Sequence, residues 1–148
     1  MRPLMLVTLV LLCACGASKM PEPPAKTAPA AIDFDAMSKD QKMALMKGTV
    51  APRMKAAFQA FDPHDFADFT CETCHGAGAR TGDYKMPNPA LPRLDLDHGF
   101  ASDRSAHPRE TEFMQQRVLP EMARMLGQPE RSPEHPDGLG CMDCHTAG

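Results

Sequence analysis

Apolar residues recur every four positions in two stretches of the chain, and this spacing lines one face of an α-helix. The first stretch contains Met46, Val50, Met54 and Phe58, and the second contains Met114, Val118, Met122 and Leu126. The two stretches align at an offset of 68 residues, which also superposes Pro52 on Pro120. No segment shows a convincing strand pattern. The sequence therefore predicts a mainly α domain built from two similar units.

The ends of the predicted helices are marked by residues that start or stop a helix. Ser38 followed by Gln41 fits an N-cap with its capping box, and Gly127 fits a C-terminal stop. Pro52 and Pro120 lie inside the apolar runs, so each helix should kink there or restart with proline in its first turn. We predict helices near 38–49, 52–61 and 109–126.

The N-terminus has the pattern of an export signal. Arg2 precedes an apolar run over residues 4–12, which is shorter than the roughly 20 residues that span a bilayer. The run ends in Leu12-Cys13-Ala14-Cys15, which resembles a bacterial lipobox. The resemblance implies cleavage before Cys15 and lipid attachment to that residue, and Gly16 implies sorting to the outer membrane. An ordinary signal peptide with incidental cysteines is the alternative.

Composition divides the chain into three parts. Residues 1–14 are predicted to be a lipoprotein-type signal peptide, and residues 15–35 a lipid-anchored tether rich in Pro and Ala. Residues 36–148 are predicted to form one folded domain. Loss of Arg2 with the signal leaves 15 basic against 19 acidic residues, a net charge of −4. This mild acidity argues against nucleic-acid binding and permits a basic redox partner.

Two CxxCH motifs carry the chemistry, CETCH at residues 71–75 and CMDCH at residues 141–145. On a helical turn, positions three and four apart lie on the same side, so both sulfurs can form thioethers with one porphyrin while the next residue, His, reaches the iron. This is the attachment pattern of c-type haem. It assigns covalent haem c to Cys71, Cys74, Cys141 and Cys144, and proximal iron ligation to His75 and His145. Zinc binding or dithiol chemistry would not require the histidine after each second cysteine.

The remaining composition agrees with two bound haems. Cys13 leaves with the signal and Cys15 takes the lipid, so no thiol remains for a disulfide. The chain has no Trp and one Tyr, and a domain this small and poor in aromatic residues usually needs a cofactor to complete its core. We expect short turns at both motifs and poor folding without haem.

The arrangement of helices and CxxCH motifs over residues 43–145 resembles multihaem c-type cytochromes, especially the haem-binding repeats of the cytochrome subunit of photosynthetic reaction centres. In that family a helix bearing an axial Met precedes most CxxCH motifs. The resemblance implies that Met54 and Met122 are the distal iron ligands. The same residues also fit a role as core methionines, and Met86 and Met125 are weaker alternatives. This chain departs from the family in having two haem motifs rather than four.

Histidine ligation is the alternative to methionine ligation. Four histidines lie outside the motifs, and they are His64, His98, His107 and His135. His64 and His135 precede the two motifs at similar distances, but both lie in loops rich in Pro and acidic residues, where exposure to solvent is expected. The choice of ligand matters because methionine raises the reduction potential of a haem relative to a second histidine.

Two six-coordinate haems on an exported domain predict electron transfer rather than catalysis, with redox proteins as partners and no small-molecule substrate. We expect a diheme carrier in the periplasm or at the cell surface, anchored through lipid to the outer membrane. Two alternatives keep an open coordination site on one haem. One is an enzyme of the diheme peroxidase type, and the other is a haem-based sensor of a small ligand such as nitric oxide.

Overall fold

Helices form most of the regular structure in the computed structural model, which describes residues 32–148. The predicted signal peptide, the predicted lipid acceptor Cys15 and most of the predicted tether lie outside these residues. The α-helices are α1 (Lys39–Leu45), α2 (Ala51–Phe61), α3 (Cys71–His75), α4 (Ala101–Ala106), α5 (Pro108–Phe113) and α6 (Leu119–Leu126). Two π-helical segments, π1 (Met46–Val50) and π2 (Met114–Val118), and two 3-10 turns, Ala77–Thr81 and Cys141–Asp143, complete the set. A mainly helical fold is thus confirmed.

Two of the predicted helix ends, the Ser38 cap and the Gly127 stop, are present in the structure. The Ser38 hydroxyl accepts a hydrogen bond from the backbone N–H of Gln41 at 3.3 Å, and the Gln41 side chain accepts one from the N–H of Ser38 at 2.8 Å. This reciprocal capping box starts α1. At the other end, α6 stops at Gly127, whose φ of 68° is left-handed.

Each proline restarts a helix after a π-helical segment, rather than kinking one α-helix. The N–H of Ala51 bonds to the carbonyl of Met46, five residues back, and Pro52 then lies in the first turn of α2. Pro120 follows π2 in the same way. Because proline has no N–H and its ring clashes with the carbonyl four residues earlier, the wider π turn accommodates it. The predicted break between residues 49 and 52 is therefore absent, and residues 39–61 form one continuous helical path.

The core lies where the two helical paths meet. Helix α2 packs against π2, and α6 packs against π1. The buried cluster consists of Val50, Met54, Phe58, Phe69 and Met125. Within it Phe58 contacts the rings of Phe66, Phe69 and Phe113, with centroids 4.8–5.2 Å apart. The apolar face predicted in the first stretch is thus buried, whereas in the second stretch Met114, Val118 and Met122 are half-buried and Met125, outside the predicted spacing, enters the core cluster.

The connection between the first motif and α5 was predicted without regular structure, but it includes α4 and an irregular segment, 88–94, which we call the connector. Among residues 32–148 the only β pairing consists of isolated bridges, Leu94 with Ala147 and Glu130 with Leu139. The first of these joins the connector to the C-terminal residues. No helix in this part of the chain has the length and apolar character needed to cross a membrane.

Candidate functional site

The first CxxCH motif forms α3, a single helical turn held by its own neighbours. The Thr70 hydroxyl accepts a hydrogen bond from the N–H of Glu72 at 3.3 Å, and the Thr73 hydroxyl accepts one from the N–H of Thr70 at 3.1 Å. The Glu72 carboxylate pairs with Arg80 at 2.6 Å, and the hydrogen bond within this pair holds the pKa of Glu72 below its usual value. All these contacts are local in sequence.

The second motif begins as the tighter 3-10 turn Cys141–Asp143. The Asp143 carboxylate accepts a hydrogen bond from the N–H of Gly140 at 2.6 Å, which caps the turn. The Arg131 guanidinium pairs with Asp143 at 3.1 Å and donates through Nε to the Gly138 carbonyl at 3.0 Å. A loop ahead of the motif therefore takes part in holding it.

None of the four motif cysteines forms a disulfide in the described part of the chain. Burial raises the pKa of Cys74 to about 11, with the thiols of Cys144 and Cys71 adding to the effect. Burial also raises the pKa of Cys144 to about 11 and, to a smaller extent, the pKa of Cys141. Raised pKa values keep these three thiols protonated at neutral pH. They are therefore not poised as low-pKa redox nucleophiles.

The two motif histidines differ in their hydrogen bonds. His145 Nδ1 lies 2.8 Å from the Pro92 carbonyl oxygen, so this nitrogen carries the proton and Nε2 keeps a free lone pair. His75 Nδ1 is buried without a hydrogen-bond partner, and the ring packs edge-on against Tyr84 at 5.4 Å. Burial lowers the pKa of His75. The nearby Tyr84 carbonyl acts in the opposite direction and raises this pKa. It is not placed to accept a hydrogen bond from Nδ1.

This donor set fits covalently attached haem. Each motif provides two reduced cysteines on one turn and a histidine at its end. The Nδ1 proton of His145 is engaged by a backbone carbonyl, which is the usual second contact of a metal-ligating imidazole. The Nδ1 of His75 is buried and has no hydrogen-bond partner in the described part of the chain. No group of three or more His, Cys, Asp or Glu side chains in residues 32–148 is arranged to hold a metal ion.

Met54 and Met122 lie in the same hydrophobic cluster as Cys74. Met54 is 2% exposed, and Met122 and Cys74 are half-buried against the cluster. Met125 is also buried, whereas Met86 is half-buried outside the cluster. Met54 thus lies in the core, and Met122 and Cys74 each pack against that core. Their role as iron ligands stays a prediction.

The four histidines outside the motifs are on the surface. His64 pairs with the Asp65 carboxylate at 3.0 Å and its side chain is 96% exposed. That hydrogen bond raises the pKa of His64. His98 pairs with Asp95 at 2.9 Å. His107, just before α5 in the sequence, and His135, in the loop after α6, are both exposed. This exposure agrees with the expectation for loop histidines.

Asn88 was not identified from the sequence, yet it contacts both motifs. Its side-chain amide donates to the Cys74 carbonyl at 2.9 Å, and its backbone N–H donates to the Cys144 carbonyl at 2.9 Å. No motif or periodicity marks this residue, which follows Met86-Pro87 in an irregular segment. Only the three-dimensional arrangement brings it to the site.

Comparison of the chain with protein-family models, with curated proteins and with solved structures gave no match. The interpretation of the site therefore depends on the residues and geometry described above.

Proposed function

We propose that this chain is an exported c-type cytochrome that binds two haems covalently and transfers electrons. The observation that carries the proposal is the repeated CxxCH turn, in which two reduced cysteines precede a histidine. In the second turn the Nδ1 of His145 is engaged by the Pro92 carbonyl, so that its Nε2 is available to iron. Zinc or dithiol chemistry accounts for the cysteines but not for this histidine.

In this proposal the chain's own residues have separate tasks. The cysteine pairs, Cys71 with Cys74 and Cys141 with Cys144, form thioethers to the two porphyrins. His75 and His145 ligate the irons through Nε2, and Met54 and Met122 take the distal positions. When bound, each haem supplies a one-electron redox centre. The protein sets its potential through ligands, hydrogen bonds and burial.

The proposal includes an internal duplication at the offset of 68 residues. Both halves contain an α–π–α path with proline in the first turn after the π segment. The packing is reciprocal, since α2 contacts π2 and α6 contacts π1. Arg53 and Glu121 occupy equivalent positions at this offset and face each other at 3.7 Å. Residues near a twofold axis meet their own equivalents in this way, which supports an approximate twofold relation between the halves.

We infer a carrier rather than an enzyme, because distal methionine ligation leaves no open iron position for a substrate. The predicted signal over residues 1–14 and lipid on Cys15 would hold the carrier in the periplasm or at the cell surface, at the outer membrane. Its partners would be redox proteins. Because the mature chain is acidic, we expect its redox partners to dock through a basic surface. Rates of electron transfer to those partners should therefore fall as salt is added.

Expression in a bacterium that attaches haem c tests the proposal directly. The purified protein should contain two covalent haems, measured by the pyridine haemochrome spectrum and by intact mass. The variants C71A/C74A and C141A/C144A should each retain one haem. The variant C15S is the matched control, since it should keep both haems and lose membrane association. A wild-type chain that carries zinc or no haem would overturn the proposal.

A further inference from the structure

Asn88 is the one buried polar side chain among residues 32–148, at 5% exposure. All its hydrogen-bonding groups are in use. Its Nδ2 donates to the carbonyl of Cys74 at 2.9 Å, and its Oδ1 accepts from the N–H of Ala90 at 3.0 Å. Its backbone N–H donates to the carbonyl of Cys144 at 2.9 Å. One residue thus bridges the second cysteine of the first motif and the second cysteine of the other.

The end of the first motif is shaped to receive this side chain. Gly76 follows His75 with a φ of 69°, and a Cβ on it would lie 3.1 Å from Nδ2 and 3.2 Å from Oδ1 of Asn88. Such a contact is tighter than most Cβ contacts and would push the amide away, and the positive φ also favours glycine. Gly76 therefore lets the Asn88 amide approach the turn closely.

The rest of the connector continues the contact along the second motif. The Pro92 carbonyl accepts from His145 Nδ1 at 2.8 Å, and the N–H of Leu94 donates to the Thr146 carbonyl at 2.9 Å. Arg93 donates through Nε to the carbonyl of Ala147 at 2.8 Å. The second motif is thereby fastened to the connector at several points. The first motif is joined to it through the Asn88 side chain.

We propose that Asn88 is a positioning residue that locks the two haem-binding turns into one unit, so that a change at this residue alters both haems. The inference rests on the proposed function. Asn88 touches neither motif histidine. It acts through the Cys74 and Cys144 backbone, and hence on the position of the imidazole that follows each cysteine. Because the potential of a haem depends on ligand orientation and burial, both centres should respond together.

The test compares Asn88 with Gln59. Both side-chain amides donate to backbone carbonyls, but only the Asn88 amide bonds to a CxxCH motif. In Asn88→Leu the side chain keeps a similar size and loses its hydrogen bonds to Cys74 and Ala90. The matched control is Gln59→Leu. The Gln59 amide donates to the carbonyls of Phe66 and Ala67 at 3.2 and 3.0 Å and reaches neither motif.

Two measurements on the oxidised and reduced holoproteins report each haem separately. They are the midpoint potentials from spectroelectrochemical titration and the shifted haem-methyl resonances in proton NMR, assigned with the C71A/C74A and C141A/C144A variants. We expect Asn88→Leu to shift both potentials and to move both sets of resonances. The shift should be larger for the haem at Cys71 and Cys74, whose bond to the side chain is lost directly, and smaller for the other haem, which is reached through the Ala90 turn and the Asn88 backbone N–H that bonds to Cys144. Gln59→Leu should move neither, although it also weakens the fold.

The outcomes separate this inference from the proposed function. A change confined to the haem at Cys71 and Cys74, or equal changes in the Gln59 variant, would overturn the inference and leave the diheme cytochrome intact. A wild-type protein without haem would overturn both. Should Asn88→Leu fail to take up two haems, Asn88→Ser is judged by the same criteria. Its hydroxyl can still accept from Ala90 but is too short to reach Cys74. Both haems should again shift, and the shift of the haem at Cys141 and Cys144 should be smaller than in Asn88→Leu.

Discussion

The two CxxCH turns share a sequence pattern but are held in different ways. The first is stabilised mainly by nearby residues, through the Thr70 cap and the Glu72–Arg80 pair, and by one longer contact from the Asn88 amide to the Cys74 carbonyl. In the second, Arg131 of the preceding loop holds the cap, and Pro92, 53 residues away in the sequence, engages the histidine. The same chemical motif can therefore be supported locally or by tertiary contacts. In the proposed cytochrome, the second arrangement would link the position of the haem ligand His145 to the fold of the connector.

The helices that precede the motifs also differ in where they end. Helix α2 continues to Phe61, whereas α6 stops at Leu126 because Gly127 takes a left-handed conformation. At the offset of 68, Gly127 corresponds to Gln59, which lies inside α2. Met54 is fully buried, whereas its counterpart Met122 is half-buried. The first half thus supplies more of the core, and the second half has the shorter helix.

The largest expected effect distinguishes the two methionines. Met54→Ala should lower the free energy of unfolding by about 2–5 kcal/mol, the usual cost of removing a buried Met side chain. Met122→Ala should cost less because Met122 is half-buried. Urea unfolding of the holoproteins measures both. Equal losses would show that burial in the structure does not describe their contribution to the core.

The same two variants test the ligand prediction by a separate readout. The oxidised wild type should show the weak sulfur-to-iron band at long wavelength, with the strength of two haems. Each alanine variant should lose half of that band. Met125→Ala is the control, since Met125 is buried in the same cluster but should leave the band unchanged. Retention of the full band in Met54→Ala and Met122→Ala would contradict methionine ligation at these positions.

Alanine substitutions of two glycines should have opposite effects on stability. Gly127 forms the left-handed stop of α6, whereas Gly48 lies inside π1. Gly127→Ala should destabilise the protein by about 1–2 kcal/mol because an L-residue is strained at this φ. Its Cβ would also collide with the backbone of Ile32. Gly48→Ala in π1 meets no atom within 4 Å and should stabilise by roughly 0.5–1 kcal/mol. Thermal unfolding measures both changes, and a stabilising Gly127→Ala would contradict the left-handed stop.

The different support of the two turns predicts unequal losses when their caps are removed. Thr70→Ala should cost about 1 kcal/mol, as expected for a helix N-cap. Asp143→Ala should cost more, because it removes the cap on Gly140 and also the pairing with Arg131. Chemical unfolding provides the comparison, with Arg131→Ala and the double variant completing a cycle. A larger loss for Thr70→Ala would reverse the assignment of local and long-range support.

The sequence predicted those features that depend on neighbouring residues. Helical spacing identified the buried face of α2 but only Leu126 of the residues buried in α6, and the Ser38 cap and Gly127 stop were located correctly. The π segments were not predicted, because apolar spacing of four does not distinguish an α turn from a wider one. Asn88 and the Pro92 carbonyl were missed, because hydrogen bonds over 14 and 53 residues leave no periodic signal. Long-range contacts of this kind are visible only in the folded chain.

The smallest expected effect concerns the reduction potentials. A hydrogen bond from Nδ1 to a carbonyl makes an imidazole a stronger donor and stabilises the oxidised metal. His145 has this contact with Pro92, whereas His75 Nδ1 has none. With equal distal ligands, the haem at Cys141 and Cys144 should therefore have the lower potential. Titration of C71A/C74A and C141A/C144A assigns the two midpoints, and matching sulfur-to-iron bands in these variants confirm that their ligands are the same. A lower potential for the haem at Cys71 and Cys74 would show that burial, rather than this hydrogen bond, decides the order.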